Sequence, residues 1–304
     1  MFSDPQLQKH YNILSCDGGG VRGIIQAVIL ERLEKEFPNF LRDTDLLVGV
    51  STGGIVALAL AAGKKPEEIK NLYLHGAQAV FQGMDGSKEK AYYSLEPLRK
   101  VFHAQFGDRP LADLDKRAAI LTFDLDNGVK DQNSRTWKAK VFHNLDSPDA
   151  DMSAKVVDVA LATCAAPVYF PSSEGFIDGG VVAGNPAMVG VAQALDNRGP
   201  NKRLQNLNLL SLGTGRMGRH IPGEEHDWPM DKWSPFLLNL IFEGATEVIH
   251  FQCRQILQNK YCRINPRLNK IVGLDDWRKV PFLLEAAEKE DVSEAISWLD
   301  DYWI

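Results

Sequence analysis

The sequence predicts an α/β fold, a mainly parallel sheet covered by helices on both faces, and three observations carry that prediction. Short apolar runs of strand length alternate with segments of helical period along most of the chain. The first two such runs end at glycines or a small-residue turn and pass directly into helices. No internal repeat or low-complexity linker divides the 304 residues, and single α/β domains commonly grow to this size, so one domain over residues 1–304 is expected.

Tyr11 to Cys16 is the first strand, followed by Val21, Ile24, Ile25, Val28, Ile29 and Leu33 at helical spacing, with Pro38 blocking any extension. Asp45 to Val50 is a second short strand that ends at Ser51, and the small-residue helix Thr52 to Ala62 follows at once. Pro66 suits a first helical position, and Glu67 and Glu68 place negative charge at the positive end of the dipole, so a helix should run from Pro66 to about Gly76. Gly76 to Ser94 has no sustained period and reads as a surface loop or lid. Further strands are expected at Ala119 to Asp124, Lys138 to His143, Gly175 to Asp178 and Leu207 to Leu212, with helices at Ala154 to Cys164 and Pro186 to Leu195 between them. From about Pro235 the chain reads as helical, mainly Phe236 to Leu257 and Pro281 to Trp298. Trp228, Trp233, Phe236, Leu237, Leu238, Leu240, Ile241 and Phe242 form a nearly continuous apolar stretch, which favours a buried core helix over an interfacial one.

Composition narrows the function classes. An apolar fraction of 44% with 24% charged residues is that of a globular enzyme rather than a disordered or fibrous chain. A net charge of -6 and a pI of about 5.7 provide no basic field for nucleic acid or an anionic bilayer, so any lipid contact is local and apolar. Cys16, Cys164, Cys253 and Cys262 form no C-x-x-C pair, which excludes the usual zinc and redox motifs and fits a reducing compartment. MFSDPQLQKHYNILSCD lacks the basic region and apolar core of a secretory signal, and no run approaches 18 apolar residues. A cytoplasmic protein without a transmembrane segment, peripheral on membranes if it meets them, is expected.

Three motifs carry chemistry. Gly49-Val50-Ser51-Thr52-Gly53 matches G-x-S-x-G between a strand and a helix, where the tight turn pushes the serine hydroxyl out at the carboxyl edge of the sheet. Asp17-Gly18-Gly19-Gly20-Val21-Arg22-Gly23 joins the first strand to the first helix, and glycine N–H groups there can be aimed at a developing oxyanion. Arg22 would assist the oxyanion or hold a lipid phosphate, although a solvated first-turn arginine is the ordinary reading of such a residue. Asp178-Gly179-Gly180 follows a short apolar run; an aspartate before two glycines is usually a turn former, and its weight here comes from the other two motifs. The glycines 18 to 23 and 213 to 218 also satisfy G-x-G-x-x-G. The second strand ends in Ser51 rather than an acidic residue, and neither stretch continues to Gly-Lys-Ser/Thr, so a nucleotide cofactor is not expected.

In this order the glycine loop with Arg22, the Ser51 elbow and the Asp178-Gly-Gly element resemble the three motifs of the patatin-like phospholipases. Ala165-Ala166-Pro167-Val168-Tyr169-Phe170-Pro171, Asn185-Pro186 and Ser211-Leu212-Gly213-Thr214-Gly215 are also similar to family sequence, and the likeness runs from about Tyr11 to Gly215. It implies a three-layer α/β/α domain, with residues 216–304 packed on it as a helical C-terminal part. It further implies hydrolysis of glycerolipid acyl esters, with phospholipid or another glycerolipid met at a membrane surface or micelle. By that resemblance Ser51 is the nucleophile, Asp178 its partner in a Ser-Asp dyad, and Gly18, Gly19 and Gly20 the oxyanion site assisted by Arg22, with no cofactor or metal. Two alternatives stand beside it. One is an α/β-hydrolase esterase whose triad is completed by His220 or His226; the other is a non-catalytic lipid-binding module on the same fold.

Overall fold

The computed structural model describes residues 10–84, 89–223 and 226–303. In chain order its elements are β1 (Tyr11–Cys16), α1 (Ile24–Glu36), β2 (Leu46–Val50), α2 (Thr52–Ala61), α3 (Pro66–Phe81), α4 (Glu96–Phe106), β3 (Arg117–Asp124), β4 (Lys138–His143), α5 (Val156–Cys164) and β5 (Phe176–Asp178). There follow α6 (Ala187–Leu195), β6 (Leu207–Leu212), β7 (Arg216–Met217), α7 (Met230–Leu257), β8 (Tyr261–Ile264), β9 (Arg267–Leu268), α8 (Val280–Lys289) and α9 (Ser293–Tyr302).

The main sheet runs β4-β3-β2-β1-β6-β8, and β5 also pairs with β3. The ladders β1·β2, β1·β6, β2·β3 and β6·β8 are parallel, while β4 and β5 run antiparallel to β3. β1 lies near the middle and is buried along its whole length, as a strand covered on both faces must be. Its side chains alternate between two cores: Leu14 and Cys16 face a large cluster with α1 to α5, α8 and α9, while Tyr11 and Ile13 face a smaller one with α6 and α7. This is the three-layer α/β/α arrangement with a mainly parallel sheet.

The chain departs from the sequence expectations at four places. α3 passes Gly76 and continues to Phe81, because Ile69, Tyr73, Ala77 and Val80 sustain one buried face beyond the glycine. The expected loop therefore starts later, and its residues 85–88 lie outside the described residues. It also ends at a helix that the reading omitted, α4, where Leu98, Phe102 and Phe106 recur every four residues and are buried. The C-terminal part is not all helical: β8 extends the main sheet beside β6, and the segment expected as one helix is two, α8 and α9.

The fourth departure concerns α7. Phe236, Leu237, Leu240 and Ile241 are 40%, 37%, 46% and 48% exposed, so the apolar stretch is not a buried core helix. An uninterrupted apolar run covers a helix all round, but only one side of α7 meets the body of the protein, where Cys253 and Leu257 are buried against the sheet and Phe242 lies over Gly180 and Gly184. Among the described residues no helix is long and apolar enough to cross a membrane.

Candidate active site

Strand register brings the two principal candidates together. β4 occupies one edge of β3 from Ala119 to Asp124. On the other edge β2 pairs Val50 with Leu121, and β5, running the opposite way, pairs Asp178 with the next residue, Thr122. β2 and β5 thus arrive nose to nose on a single edge, and the residue after Val50 is Ser51.

Ser51 sits at φ 54°, ψ -129°, a strained conformation for a residue with a side chain, between the end of β2 and the first turn of α2. The turn closes so tightly that a Cβ on Gly53 would fall 2.1 Å from the Cys16 carbonyl oxygen, and one on Gly49 would fall 2.3 Å from that of Gly53. The Ser51 N–H donates to Thr163 Oγ1 at 2.8 Å, and the Thr163 hydroxyl donates to the Leu121 carbonyl at 2.7 Å. One threonine at the end of α5 therefore ties the elbow to β3. No motif pointed to Thr163; a threonine in an apolar helix next to Cys164 was the only trace of it in the sequence.

Asp178 is 1% exposed. Its backbone N–H donates to the Ala165 carbonyl at 3.0 Å, and its Oδ1 accepts the Gly180 N–H at 2.7 Å. Oδ2 is buried without a hydrogen bond of good geometry, although the Ser51 hydroxyl lies near enough to draw the carboxyl's pKa down. Burial dominates, and pushes the carboxyl up to about 7 against the pull of Ser51 and the Gly180 N–H. A carboxylate with that affinity for protons and one open oxygen is equipped to take a proton near neutral pH.

The glycine loop is pinned at several points. The Gly18 N–H donates to the Gly184 carbonyl at 2.8 Å and is therefore engaged within the fold. The N–H groups of Gly19 and Gly20 have no acceptor among the described residues. Gly20 has φ +60°, and a Cβ there would lie 2.0 Å from the Leu274 carbonyl oxygen. Thr214 Oγ1 donates to the Gly18 carbonyl at 2.7 Å. Arg22 is buried and its Nε donates to the Gly19 carbonyl at 3.1 Å, so this arginine braces the loop from within the cavity wall rather than lying in solvent. Burial lowers its pKa to about 10, which leaves it charged at neutral pH, and Glu243 opposes that shift.

Behind the loop Asp17 and Arg263 form a buried ion pair at 2.6 Å, and Arg263 also donates to Ser211 Oγ at 2.6 Å. Burial pushes the Asp17 carboxyl up, and the Arg263 guanidinium draws it back. Arg263 belongs to β8, a four-residue strand with no recognisable pattern, and was not legible as a site residue.

Ser51, Asp178, the glycine loop, Arg22, Asp17 and Thr214 border one cavity of about 280 Å³. Its polar part holds Ser51, Asp178, Gly18 to Gly20 and Arg22; its apolar part is lined by Ile55 of α2, Leu72, Val80 and Phe81 of α3, Phe102 of α4 and Phe170 of the loop after α5. No histidine lines it among the described residues. His226 Nε2 instead donates to the Pro222 carbonyl at 3.1 Å and the ring packs edge-to-face on Trp228, and His220 is exposed. Among the described residues no group of three or more His, Cys, Asp or Glu side chains is arranged to hold a metal ion.

Residues 14–191 match the family model described as patatin-like phospholipase, more than half of the chain, and the chain belongs to that family of lipid hydrolases. Among curated relatives, the cGAMP-activated phospholipase of Pseudomonas aeruginosa is 30% identical, over 84% of this chain and 78% of that protein. The putative sporulation hydrolase CotR of Bacillus subtilis is 26% identical over 96% and 98% of the two chains. The 85/88 kDa calcium-independent phospholipase A2 of Rattus norvegicus is 27% identical, with 69% of this chain aligned to 28% of that protein.

Proposed function

We infer that this chain is a phospholipase A-type acyl hydrolase that works through a Ser51–Asp178 dyad. The observation that carries this reading is the open Oδ2 of a buried, proton-avid Asp178 beside the Ser51 hydroxyl, in a cavity where no described histidine competes for the role. The Ser51 hydroxyl attacks the ester carbonyl as Asp178 takes its proton, and the N–H groups of Gly19 and Gly20 stabilise the oxyanion. Collapse of the tetrahedral intermediate expels the lysolipid alkoxide, which receives the proton from Asp178. A water molecule, deprotonated by the same carboxylate, then attacks the acyl-enzyme, and the fatty acid leaves as Ser51 takes that proton back from Asp178. Arg22 holds Gly19 in position for both steps, and the apolar arm of the cavity accommodates the acyl chain.

The test compares Asp178→Asn with His220→Ala and His226→Ala on one ester. Asparagine keeps the shape but cannot accept the proton, so near-complete loss is expected for Asp178→Asn, against at most about tenfold for either histidine variant; triad members typically cost about 10⁴. Inactivation of a correctly folded histidine variant to the level of Asp178→Asn would replace the dyad by a triad. Because Asp178 must be ionised to act as base, kcat/KM should rise with pH through about 7.

A further inference from the structure

Seven glycines border the cavity among the described residues, and six of them are explained by the backbone and side chains around them. A Cβ on Gly18, Gly19, Gly20, Gly180, Gly184 or Gly215 would lie 3.2 Å or less from another atom. Gly76 is different. A Cβ there would meet only Leu72 Cδ1, at 3.9 Å, which is ordinary van der Waals contact, and Leu72 itself lines the cavity. The φ of Gly76 is not positive, and the residue stands inside the sixteen-residue α3, where glycine is the poorest helix former after proline. Neither close approach nor backbone conformation calls for glycine at this position; what the missing side chain leaves is open space in the cavity wall.

α3 meets the cavity in pairs of residues one turn apart: Leu72 and Tyr73, Gly76 and Ala77, Val80 and Phe81. The middle pair is small and the pairs on either side are large, so this face of the helix carries a notch. Tyr73 fixes where the notch stands relative to the nucleophile, because its hydroxyl pairs with the hydroxyl of Thr52, the residue after Ser51. Gly76 and Ala77 follow three and four residues later, about 4.5–6 Å along the helix axis.

We propose that the notch at Gly76 and Ala77 is the passage taken by the acyl chain, and that the size of residue 76 sets the longest chain the enzyme hydrolyses. The proposal rests on the reading of the site as a lipid acyl hydrolase. An acyl group held at Ser51 leaves the elbow beside Thr52 and Tyr73, and a long one continues through the notch one turn of α3 further on. A side chain at position 76 obstructs long acyl groups and leaves room for short ones. The magnitudes agree: an apolar cavity of about 150 Å³ is enough for a benzene ring, so phenylalanine at 76 would fill on the order of half of the cavity of about 280 Å³.

The experiment measures kcat/KM on p-nitrophenyl butyrate, octanoate and laurate for the parent and for Gly76→Ala, Gly76→Leu and Gly76→Phe, with circular dichroism to establish that each variant is folded. The ratio of laurate to butyrate should fall in the order of side-chain size, by about twofold for Gly76→Ala and by about tenfold or more for Gly76→Phe, with octanoate in between. The proposal is overturned if that ratio stays within about twofold of the parent in folded Gly76→Phe. It is equally overturned if butyrate and laurate hydrolysis fall together, which is the loss a merely structural glycine would give. Should Gly76→Phe not fold, Gly76→Leu is judged by the same two outcomes. If the parent cleaves none of the esters, the hydrolase reading fails on its own, and binding of the fluorescent long-chain fatty acid cis-parinarate decides the notch: Kd should rise about tenfold or more in the largest folded variant, and an unchanged Kd overturns the proposal.

Discussion

The two ends of the same central strands are built to opposite standards. At the amino end of β1, the Asn12 side chain donates at 2.9 Å to the Asp43 and Trp303 carbonyls and accepts from Asn208 at 3.0 Å, and its backbone N–H donates to Asp45 at 2.8 Å. Asn208 reaches the Tyr302 carbonyl, leaving its own Oδ1 buried without a partner, and Trp303 closes over Phe40, donating to its carbonyl at 3.0 Å. At the carboxyl end, reached within a few residues along β1, polar groups are left open: the buried Asp178 Oδ2 and, on the cavity wall, the N–H groups of Gly19 and Gly20. A buried polar group without a partner costs about 1–3 kcal/mol, so the contrast separates an end made for stability from an end that gives up stability for reactivity.

Substitutions at the reactive end should therefore change activity without loss of stability, and those at the closed end the reverse. The largest effect is expected for Ser51→Ala, which should lower ester hydrolysis by about 10⁴ or more and abolish fluorophosphonate labelling, with unfolding free energy within about 1 kcal/mol of the parent. Stability loss comparable to a core deletion at that position would make the serine structural.

Asp178→Asn should inactivate the enzyme and stabilise the fold. The folded-state pKa of about 7 lies above the ordinary value near 3.9, so the folded chain holds the proton more tightly and loses stability as pH rises between those values. Relative to the parent, the asparagine variant should show little difference near pH 4 and a gain on the order of 2–4 kcal/mol above pH 7. Denaturant melts at the two pH values measure it, and a pH-independent difference would contradict the raised pKa.

At the closed end, Asn12→Ala should cost about 2–3 kcal/mol, or about 5 °C in melting temperature, because it strands Asn208 and two carbonyls. The kcat of the folded fraction at low temperature should be unchanged. If catalysis fell as steeply as stability, the two ends would be coupled rather than independent. The smallest effect is expected from EGTA. Hydrolysis should persist without added calcium because the proposed oxyanion site is made of backbone donors. Loss of activity restored by calcium would count against it.

The parts of this molecule that were legible in sequence are those specified by neighbours in the chain. β1, the Ser51 elbow and α2 announce themselves because a strand, a tight turn and a helix occupy consecutive residues, each with its own local chemistry. The family resemblance found Asp178, which position alone would have left as a turn former. What stayed hidden depends on partners far along the chain. Arg263 acquires meaning only when β8 carries it to Asp17, and Thr163 only when α5 brings its hydroxyl between Leu121 and Ser51. The hydrogen bond from the Gly18 N–H to Gly184 was likewise hidden, because no local pattern reports a partner so far along the chain. α7 was misjudged for a related reason: an apolar run records how much surface seeks cover, and not whether the fold supplies it on every side.

The meeting of β2 and β5 on one edge of β3 also sets a timetable. A chain made from its amino terminus completes the elbow long before it contains Asp178, and with the proposed dyad the serine would have no base until β5 had closed onto Thr122. A partly made or partly unfolded molecule would thus carry the nucleophile in a disarmed form. Hydrolytic power would arrive only with the pairing of β5 and β3, and a slip of one residue in β5 would turn Asp178 to the other face and withhold it.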